Sequence, residues 1–169
     1  MRNIRSLSIL LIFFGAYIFF AIIGTCDEKP ADKILIEKKA RRLTLLRDSI
    51  PIRNYRIALG HAPEGPKTCQ GDCRTPEGSY VVDRRNKYSL YHWALHISYP
   101  NEADRIAARK HKCSPGGDIC IHGLPNGYGW IGKSHTLHDW TIGCIAVTDK
   151  EIEEIWSLVP NGTAVEIRP

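Results

Sequence analysis

The sequence predicts a single, mainly β domain with a few short helices. At 169 residues and 19.1 kDa the chain has room for one compact domain and a short N-terminal extension, but not for two domains. Short segments with strand-like alternation recur along the chain, whereas only two stretches have helical spacing. Glycines and prolines separate these segments, which is typical of a compact β-rich fold.

The N-terminal residues 1–26 are predicted to be a signal peptide or a membrane anchor. An apolar run covers residues 7–23, and Arg2 and Arg5 precede it. Positive charge before an apolar run is typical of an export signal, and it places the rest of the chain, residues 27–169, outside the cytoplasm. The run is close to the minimum length that spans a bilayer, so a cleaved signal and an uncleaved anchor both stay open.

The charge of the chain gives no indication of nucleic-acid binding. The net charge is +5, and two of those charges lie before the apolar run. So small an excess of positive charge favours solubility and does not indicate a nucleic-acid partner. The densest basic run comprises Lys38, Lys39, Arg41 and Arg42, and we expect it to be a solvated strand face.

The exported part begins with strands and a long loop. Residues 60–78 contain seven glycines and prolines, so they are predicted to form an ordered loop of the kind that is often functional. Strand-like patterns predict strands over residues 33–37, 42–47, 52–59, 79–83 and 93–98.

Two helices and a final strand complete the predicted domain. Asn101 can cap a helix that extends through residue 110, and residues 148–151 form a capping box for a second helix. Apolar residues follow that box at helical spacing, which indicates core packing. Asn161-Gly162 is predicted to end the second helix, and residues 164–167 to form the last strand.

Two short motifs carry the candidate chemistry. His122-Gly123 ends an apolar run, and Gly143-Cys144 precedes another. A glycine beside a nucleophile lets the backbone turn tightly, and a neighbouring histidine can convert a thiol to a thiolate. The motifs therefore indicate a cysteine nucleophile with a histidine base, although a buried cysteine and a structural histidine are the competing interpretation.

These motifs resemble those of the YkuD-type L,D-transpeptidases. The resemblance extends from about residue 33 to the C-terminus. It rests on His122-Gly123, on Thr141-x-Gly143-Cys144, on the Thr75-Pro76-Glu77-Gly78-Ser79-Tyr80 segment, and on residues 98–104 and 115–117, which are similar to one branch of the family. The chain departs from the family pattern at Ile142, where a histidine is usual, and at Ala146, where an arginine is usual, so details of the substrate do not carry over.

The resemblance implies a fold, a reaction and a location. Residues 27–169 would form a β-sandwich-type catalytic domain on the periplasmic side of the cell envelope, secreted or anchored to the inner membrane. Cys144 would attack a peptidoglycan stem tetrapeptide and release D-alanine. An amine of a second stem, a lysine of a wall-attached lipoprotein, or water would then resolve the thioester. No cofactor, metal or nucleic acid is implied, and the membrane is a partner only through an uncleaved N-terminus.

The resemblance also implies roles for individual residues. His122 would be oriented by a backbone carbonyl near Gly123, and the N–H groups of Gly143 and Cys144 would stabilise an oxyanion. Residues expected to contact the substrate are Arg74, Tyr99, His138 and Thr141.

Three other functions stay open from sequence. A carboxypeptidase or amidase would use the same thioester with water as acceptor. A non-catalytic wall-binding protein would keep the fold without a reactive thiol. A zinc peptidase would use His135, His138 and Asp139 together with His122, and metal analysis would detect it.

The cysteines are expected to include disulfides, because the chain contains six and is predicted to be exported. With Cys26 at the membrane border and Cys144 reserved for chemistry, four cysteines can pair in three ways, including two local closures. A tetrathiolate zinc site is the alternative. These four are Cys69, Cys73, Cys113 and Cys120.

Overall fold

The computed structural model describes residues 29–169, so the predicted signal or anchor over residues 1–26 lies outside the described residues. The strands are β1 (Lys33–Glu37), β2 (Arg42–Arg47), β3 (Ile50–Arg56), β4 (Gly78–Ser89), β5 (His92–Ile97), β6 (Cys120–His122), β7 (Ile145–Ala146) and β8 (Ala164–Arg168). The helices are α1 (Glu102–Lys110), a 3₁₀ segment (Gly129–Leu137) that is interrupted by non-helical backbone at Gly132, and α2 (Asp149–Leu158). This confirms the predicted mainly β fold with a few short helices.

The strands form one mixed eight-stranded sheet in the order β3-β2-β1-β8-β4-β5-β6-β7. The β1–β8 and β6–β7 pairs are parallel, and the other pairs are antiparallel. Ile34 and Ile36 alternate with half-exposed residues and lie beside Val165 and Ile167 in the core. Within residues 29–169, no helix is long and apolar enough to cross a membrane.

Both predicted helix starts are confirmed. Asn101 caps α1 in a capping box with Asp104, and Thr148 caps α2 in a capping box with Glu151. In each box the side chains and backbone N–H groups satisfy each other, which removes two unpaired donors at the helix end.

The predicted end of α2 at residues 161–162 is wrong. The helix ends at Leu158, because Val159 is extended with φ −117° and ψ 99°. Val159 precedes Pro160, and the proline ring disfavours helical backbone at the residue before it.

β4 is much longer than the predicted 79–83, because its polar half is stabilised by side-chain packing. The guanidinium carbon of Arg85 lies 3.9 Å from the ring centroid of Trp156, and the Lys87 ammonium lies 4.7 Å from that of Trp93. Cationic side chains whose stems cover aromatic rings can sustain a strand that lacks apolar alternation.

The basic run is not the solvated strand face that we expected. Lys38 lies in the turn after β1, with only 2% of its surface exposed, although its neighbour Lys39 is exposed. The Lys38 ammonium donates to the carbonyl groups of Gly65 and Thr75 and pairs with Glu77 at 2.8 Å. These bonds fasten the 60–78 loop to the sheet.

Replacing Lys38 with methionine should lower the free energy of unfolding by about 3–5 kcal/mol, because Glu77 and two carbonyl groups lose their partner. Denaturant unfolding measures this loss. Lys39→Met is the control and should stay within about 0.5 kcal/mol of the wild type, since Lys39 is exposed. Equal stabilities of the two variants would contradict the role of Lys38.

One disulfide joins the long loop to the segment after α1. Cys69 and Cys113 are bonded, with their Cα atoms 5.7 Å apart, whereas Cys73, Cys120 and Cys144 are free thiols. Neither local closure forms, and a zinc site made of all four predicted cysteines is contradicted because two of them form the disulfide.

Candidate active site

Two adjacent parallel strands bring Cys144 and His122 together. His122 is the last residue of β6, and Cys144 immediately precedes β7. Ile121 is opposite Ile145 in the register of this pair. Cys144 and His122 line the same groove, although they lie in separate motifs of the sequence.

The imidazole of His122 is held by its own loop. Its Nδ1 lies 2.7 Å from the carbonyl oxygen of Gly123, which confirms the backbone acceptor expected near that residue. Nδ1–H donates in this bond, so Nε2 is available to Cys144. The rings of Tyr91 and Trp140 flank the imidazole, with centroids 4.6 Å and 5.9 Å away.

The surroundings of Cys144 stabilise its thiolate. The backbone N–H of Cys120 donates to the Cys144 sulfur at 3.4 Å. Hydrogen bonding from the Cys120 thiol, together with the hydrogen bond and charge of His122, outweighs burial and lowers the pKa of Cys144 to about 4. The same hydrogen bond and burial raise the pKa of the Cys120 thiol. At neutral pH Cys144 is therefore the charged sulfur and Cys120 the protonated one.

Cys144 lies where two grooves meet. A groove of about 300 Å³ also contains His122, Tyr91 and Trp140. A second groove of about 240 Å³ reaches Cys144 from the side of Gln70 and Ile119. Cys144 therefore lines both grooves.

The Gly143 N–H, which was predicted to stabilise an oxyanion, is engaged in a hydrogen bond within its own loop. The Gly143 N–H donates to Oγ1 of Thr141 at 3.1 Å, and the Thr141 hydroxyl donates to the Cys144 carbonyl at 2.8 Å. The Cys144 N–H has no acceptor among residues 29–169. The backbone around the sulfur therefore offers one free donor rather than two.

Thr141 lines the groove, but its polar groups are all engaged in holding the loop before Cys144. Besides the hydroxyl bonds, its N–H donates to the carbonyl of Leu59 at 3.1 Å, and its own carbonyl accepts from the N–H of His61 at 2.9 Å. The side chain is 5% exposed. Thr141 therefore shapes the wall of the groove rather than presenting a free hydroxyl.

Three predicted substrate contacts lie away from the Cys144 groove. Tyr99 is 3% exposed in the core, and its hydroxyl donates to the carbonyl of Pro115 at 2.9 Å. The Arg74 side chain lies in a separate depression beside Glu64, although its backbone passes close to Gly143. His138 lines a neighbouring depression. None of these three side chains lines either groove at Cys144.

The residues of the zinc alternative have other partners. Asp139 pairs with Arg41 at 2.7 Å and accepts from the Leu59 N–H at 2.9 Å. The Nδ1 of His135 accepts from the Trp140 indole at 3.5 Å. Among the described residues, no group of three or more His, Cys, Asp or Glu side chains is arranged to hold a metal ion.

Sequence reasoning missed Cys120 as a neighbour of Cys144. It also missed Tyr91 and Trp140 as the rings that enclose His122. A signal for Cys120 was present: it precedes His122 by two positions, and alternate residues of a strand share one face. Tyr91 comes from a hairpin remote in sequence, so no local pattern predicts its position.

Gly143→Ala should distort the loop that carries Cys144. Gly143 has φ +138°, and an added Cβ would lie 2.8 Å from the carbonyl oxygen of Arg74. We expect a loss of about 1–3 kcal/mol of unfolding free energy and slower alkylation of Cys144. Gly117→Ala, with no atom within 4 Å of the added Cβ, is the stability control. A Gly143→Ala protein as stable and as thiol-reactive as the wild type would contradict this requirement.

Comparison with known proteins identifies the family of this chain. A family model described as the L,D-transpeptidase catalytic domain, YkuD, matches residues 31–167. The Escherichia coli K12 protein named "Putative L,D-transpeptidase YafK" is 32% identical over 110 residues, which are 63% of this chain and 36% of YafK. The chain thus matches little more than a third of that curated relative.

Solved structures share the fold. The helical cell shape determining protein Pgp2 from Campylobacter jejuni has a TM-score of 0.63 at 24% identity, over 83% of this chain and 48% of Pgp2. Bd1075 from Bdellovibrio bacteriovorus has a TM-score of 0.58 at 24% identity, with the same two coverages. With the family model matching most of its length, the chain belongs to the YkuD family of L,D-transpeptidase catalytic domains.

Proposed function

We propose that this protein is a peptidoglycan L,D-transpeptidase of the cell envelope, with Cys144 as nucleophile and His122 as its acid and base. The observation that carries the proposal is the Cys144 thiol, whose pKa is lowered to about 4, beside an imidazole held by the Gly123 carbonyl. A thiolate paired with an oriented histidine is the arrangement that acyl transfer by cysteine requires. Membership in the family supports stem peptides as the substrate.

In the first half of the reaction, the Cys144 thiolate attacks the carbonyl carbon of the diaminopimelate–D-alanine bond. The carbonyl oxygen becomes negative, and the free N–H of Cys144 would donate a hydrogen bond to it. Protonated His122 gives its Nε2 proton to the leaving nitrogen, and D-alanine departs. The acyl group stays on Cys144 as a thioester, and His122 is then neutral.

In the second half, an amine attacks the thioester carbonyl. Neutral His122 accepts the amine proton at Nε2, an amide forms, and the Cys144 thiolate leaves. The second groove at Cys144 offers a separate approach for this acceptor. The acceptor would be the diaminopimelate amine of another stem, giving a cross-link, or a lysine of a wall-attached lipoprotein.

Hydrolysis through the same thioester is the second candidate, as an L,D-carboxypeptidase or an amidase. It is favoured by the two open grooves, because both give water a path to Cys144.

Mass spectrometry of a purified stem tetrapeptide incubated with the full chain separates the candidates. Transpeptidation yields a cross-linked dimer and free D-alanine, which is the expected result. Tripeptide and D-alanine without dimer would establish the hydrolase instead. Unchanged tetrapeptide, with Cys144 confirmed as a free thiol by alkylation, would overturn both.

A further inference from the structure

Cys120 is the first residue of β6, and Cys144 immediately precedes the neighbouring strand β7. In the parallel β6–β7 pair, Ile121 lies opposite Ile145 and His122 opposite Ala146. One residue earlier, the same register sets Cys120 beside Cys144. Adjacent strands lie about 4.7–4.9 Å apart, which is within the usual range of about 4.4–6.8 Å between the Cα atoms of a disulfide.

The two sulfur atoms also point to the same place. The Cys144 sulfur lies 3.6 Å from the carbonyl oxygen of Asp118, and the Cys120 sulfur lies 3.7 Å from the same oxygen. The Cys120 N–H donates to the Cys144 sulfur, and both side chains line the larger groove. A bond between them needs side-chain rotation rather than rearrangement of the sheet.

The other described cysteines compete poorly for Cys144. Cys69 and Cys113 are already bonded to each other. The Cys73 thiol donates to the carbonyl of Gly71 in its own loop, at 3.4 Å.

We propose that Cys120 is a resolving thiol, which forms a reversible disulfide with Cys144 when a hydroperoxide oxidises the site. The disulfide would switch the enzyme off and protect Cys144 from irreversible oxidation. This inference rests on the proposed function in one respect, that Cys144 is the catalytic nucleophile.

The chemistry balances with hydrogen peroxide as the only oxidant. The Cys144 thiolate attacks one peroxide oxygen, the O–O bond breaks, and hydroxide leaves and takes a proton to become water. Cys144 is then a sulfenic acid, and its sulfur has given two electrons to the peroxide. The Cys120 sulfur next attacks the Cys144 sulfur, the S–O bond breaks, and the thiol proton leaves with the hydroxyl group as a second water.

The unequal acidity of the two thiols determines the order of these two oxidation steps. Cys144 reacts first, because the thiolate rather than the thiol attacks peroxide and the pKa of Cys144 is lowered. The Cys120 thiol stays protonated while a charged sulfur lies next to it. Once Cys144 is a neutral sulfenic acid that charge is gone, so Cys120 loses its proton more readily and can resolve it.

The test is thiol mapping of the full chain after exposure to hydrogen peroxide. Free thiols are blocked with N-ethylmaleimide, the protein is digested without reduction, and the peptides are identified by mass spectrometry. We expect a peptide pair joined through Cys120 and Cys144, and dithiothreitol should then restore iodoacetamide labelling of Cys144. In Cys120→Ala, Cys144 should become sulfinic or sulfonic acid. Compared with the wild type at equal loss of free Cys144 thiol, the Cys144 labelling that dithiothreitol restores should be at least about tenfold lower.

Cys73→Ala is the matched control and should behave like the wild type. Cys120→Ser provides a second variant in case Cys120→Ala folds poorly, and should show the same irreversible oxidation. Sulfinic acid on Cys144 of the wild type with Cys120 still alkylated, or a Cys73–Cys144 bond, would overturn the proposal. Turnover of stem tetrapeptide by the reduced wild type is measured on the same sample. Absence of turnover would overturn the proposed function. Whether Cys120 forms a disulfide with Cys144 is decided by the peptide mapping alone.

Discussion

Cys144→Ala is expected to abolish turnover of stem peptides, by about four orders of magnitude or more, while leaving the domain folded. No other described side chain in the groove offers a comparable anionic sulfur that could form the thioester. Cys144→Ser should lose nearly as much, because an alcohol ionises far less readily than a thiol whose pKa is about 4.

The control for Cys144 is Cys73→Ala, which removes another free thiol outside the groove. It should retain wild-type turnover, measured by release of D-alanine. Denaturant unfolding of Cys144→Ala checks that the domain is intact. A folded Cys144→Ala protein with turnover near that of the wild type would rule out Cys144 as the nucleophile.

His122→Ala should shift the pH profile of Cys144 alkylation to higher pH. In the wild type the folded pKa is about 4, so the thiolate persists down to that pH and is lost only below it. Without the imidazole one cause of the lowered pKa is gone, and the midpoint should rise toward the ordinary value of about 8.5. The Cys120 hydrogen bonds remain, so we expect the rise to be incomplete. Iodoacetamide labelling rates across the pH range measure the midpoint.

Turnover of His122→Ala should fall by about 10²–10⁴, because no group then protonates the departing D-alanine nitrogen. His111→Ala is the matched control, since His111 is an exposed residue at the end of α1. It should change neither the alkylation midpoint nor turnover. An unchanged midpoint in His122→Ala would show that His122 has no electrostatic effect on Cys144.

Local chemistry explains which elements could be predicted from the sequence. The capping boxes at Asn101 and Thr148 are formed by residues three positions apart, so the helix starts are visible in the sequence alone. The strands β1 and β2 show apolar alternation and match their predicted bounds. The polar half of β4 depends on Trp93 and Trp156, which lie elsewhere in the chain, and it was missed for that reason.

The parts of the candidate site that lie in short sequence motifs could be predicted. His122 and Cys144 lie together, and the carbonyl that orients His122 comes from the next residue. The positions of Tyr99 and Arg74 could not be predicted, because burial depends on the whole fold: Tyr99 packs in the core, and Arg74 lines a separate depression. The pairing of Cys69 with Cys113 likewise joins segments 44 residues apart.

The hydrogen bond between Gly143 and Thr141 shows that a sequence motif does not predict the partner of each backbone N–H. A hydroxyl two residues before a backbone N–H can accept from it and remove it from other use. The motif predicts that a glycine precedes the nucleophile, but it does not reveal which way the peptide N–H points. The proposed role of Cys144 as nucleophile does not depend on the direction of a peptide N–H, because its side chain carries the chemistry.

Mass spectrometry of the protein during turnover shows whether Cys144 carries the acyl group of the stem peptide. The full chain is mixed with stem tetrapeptide, quenched in acid, and digested under conditions that preserve thioesters. We expect an adduct with the mass of the stem tripeptide minus one water, located on Cys144 and absent from Cys144→Ala. An adduct on any other residue, or D-alanine release by Cys144→Ala at the wild-type rate, would contradict it.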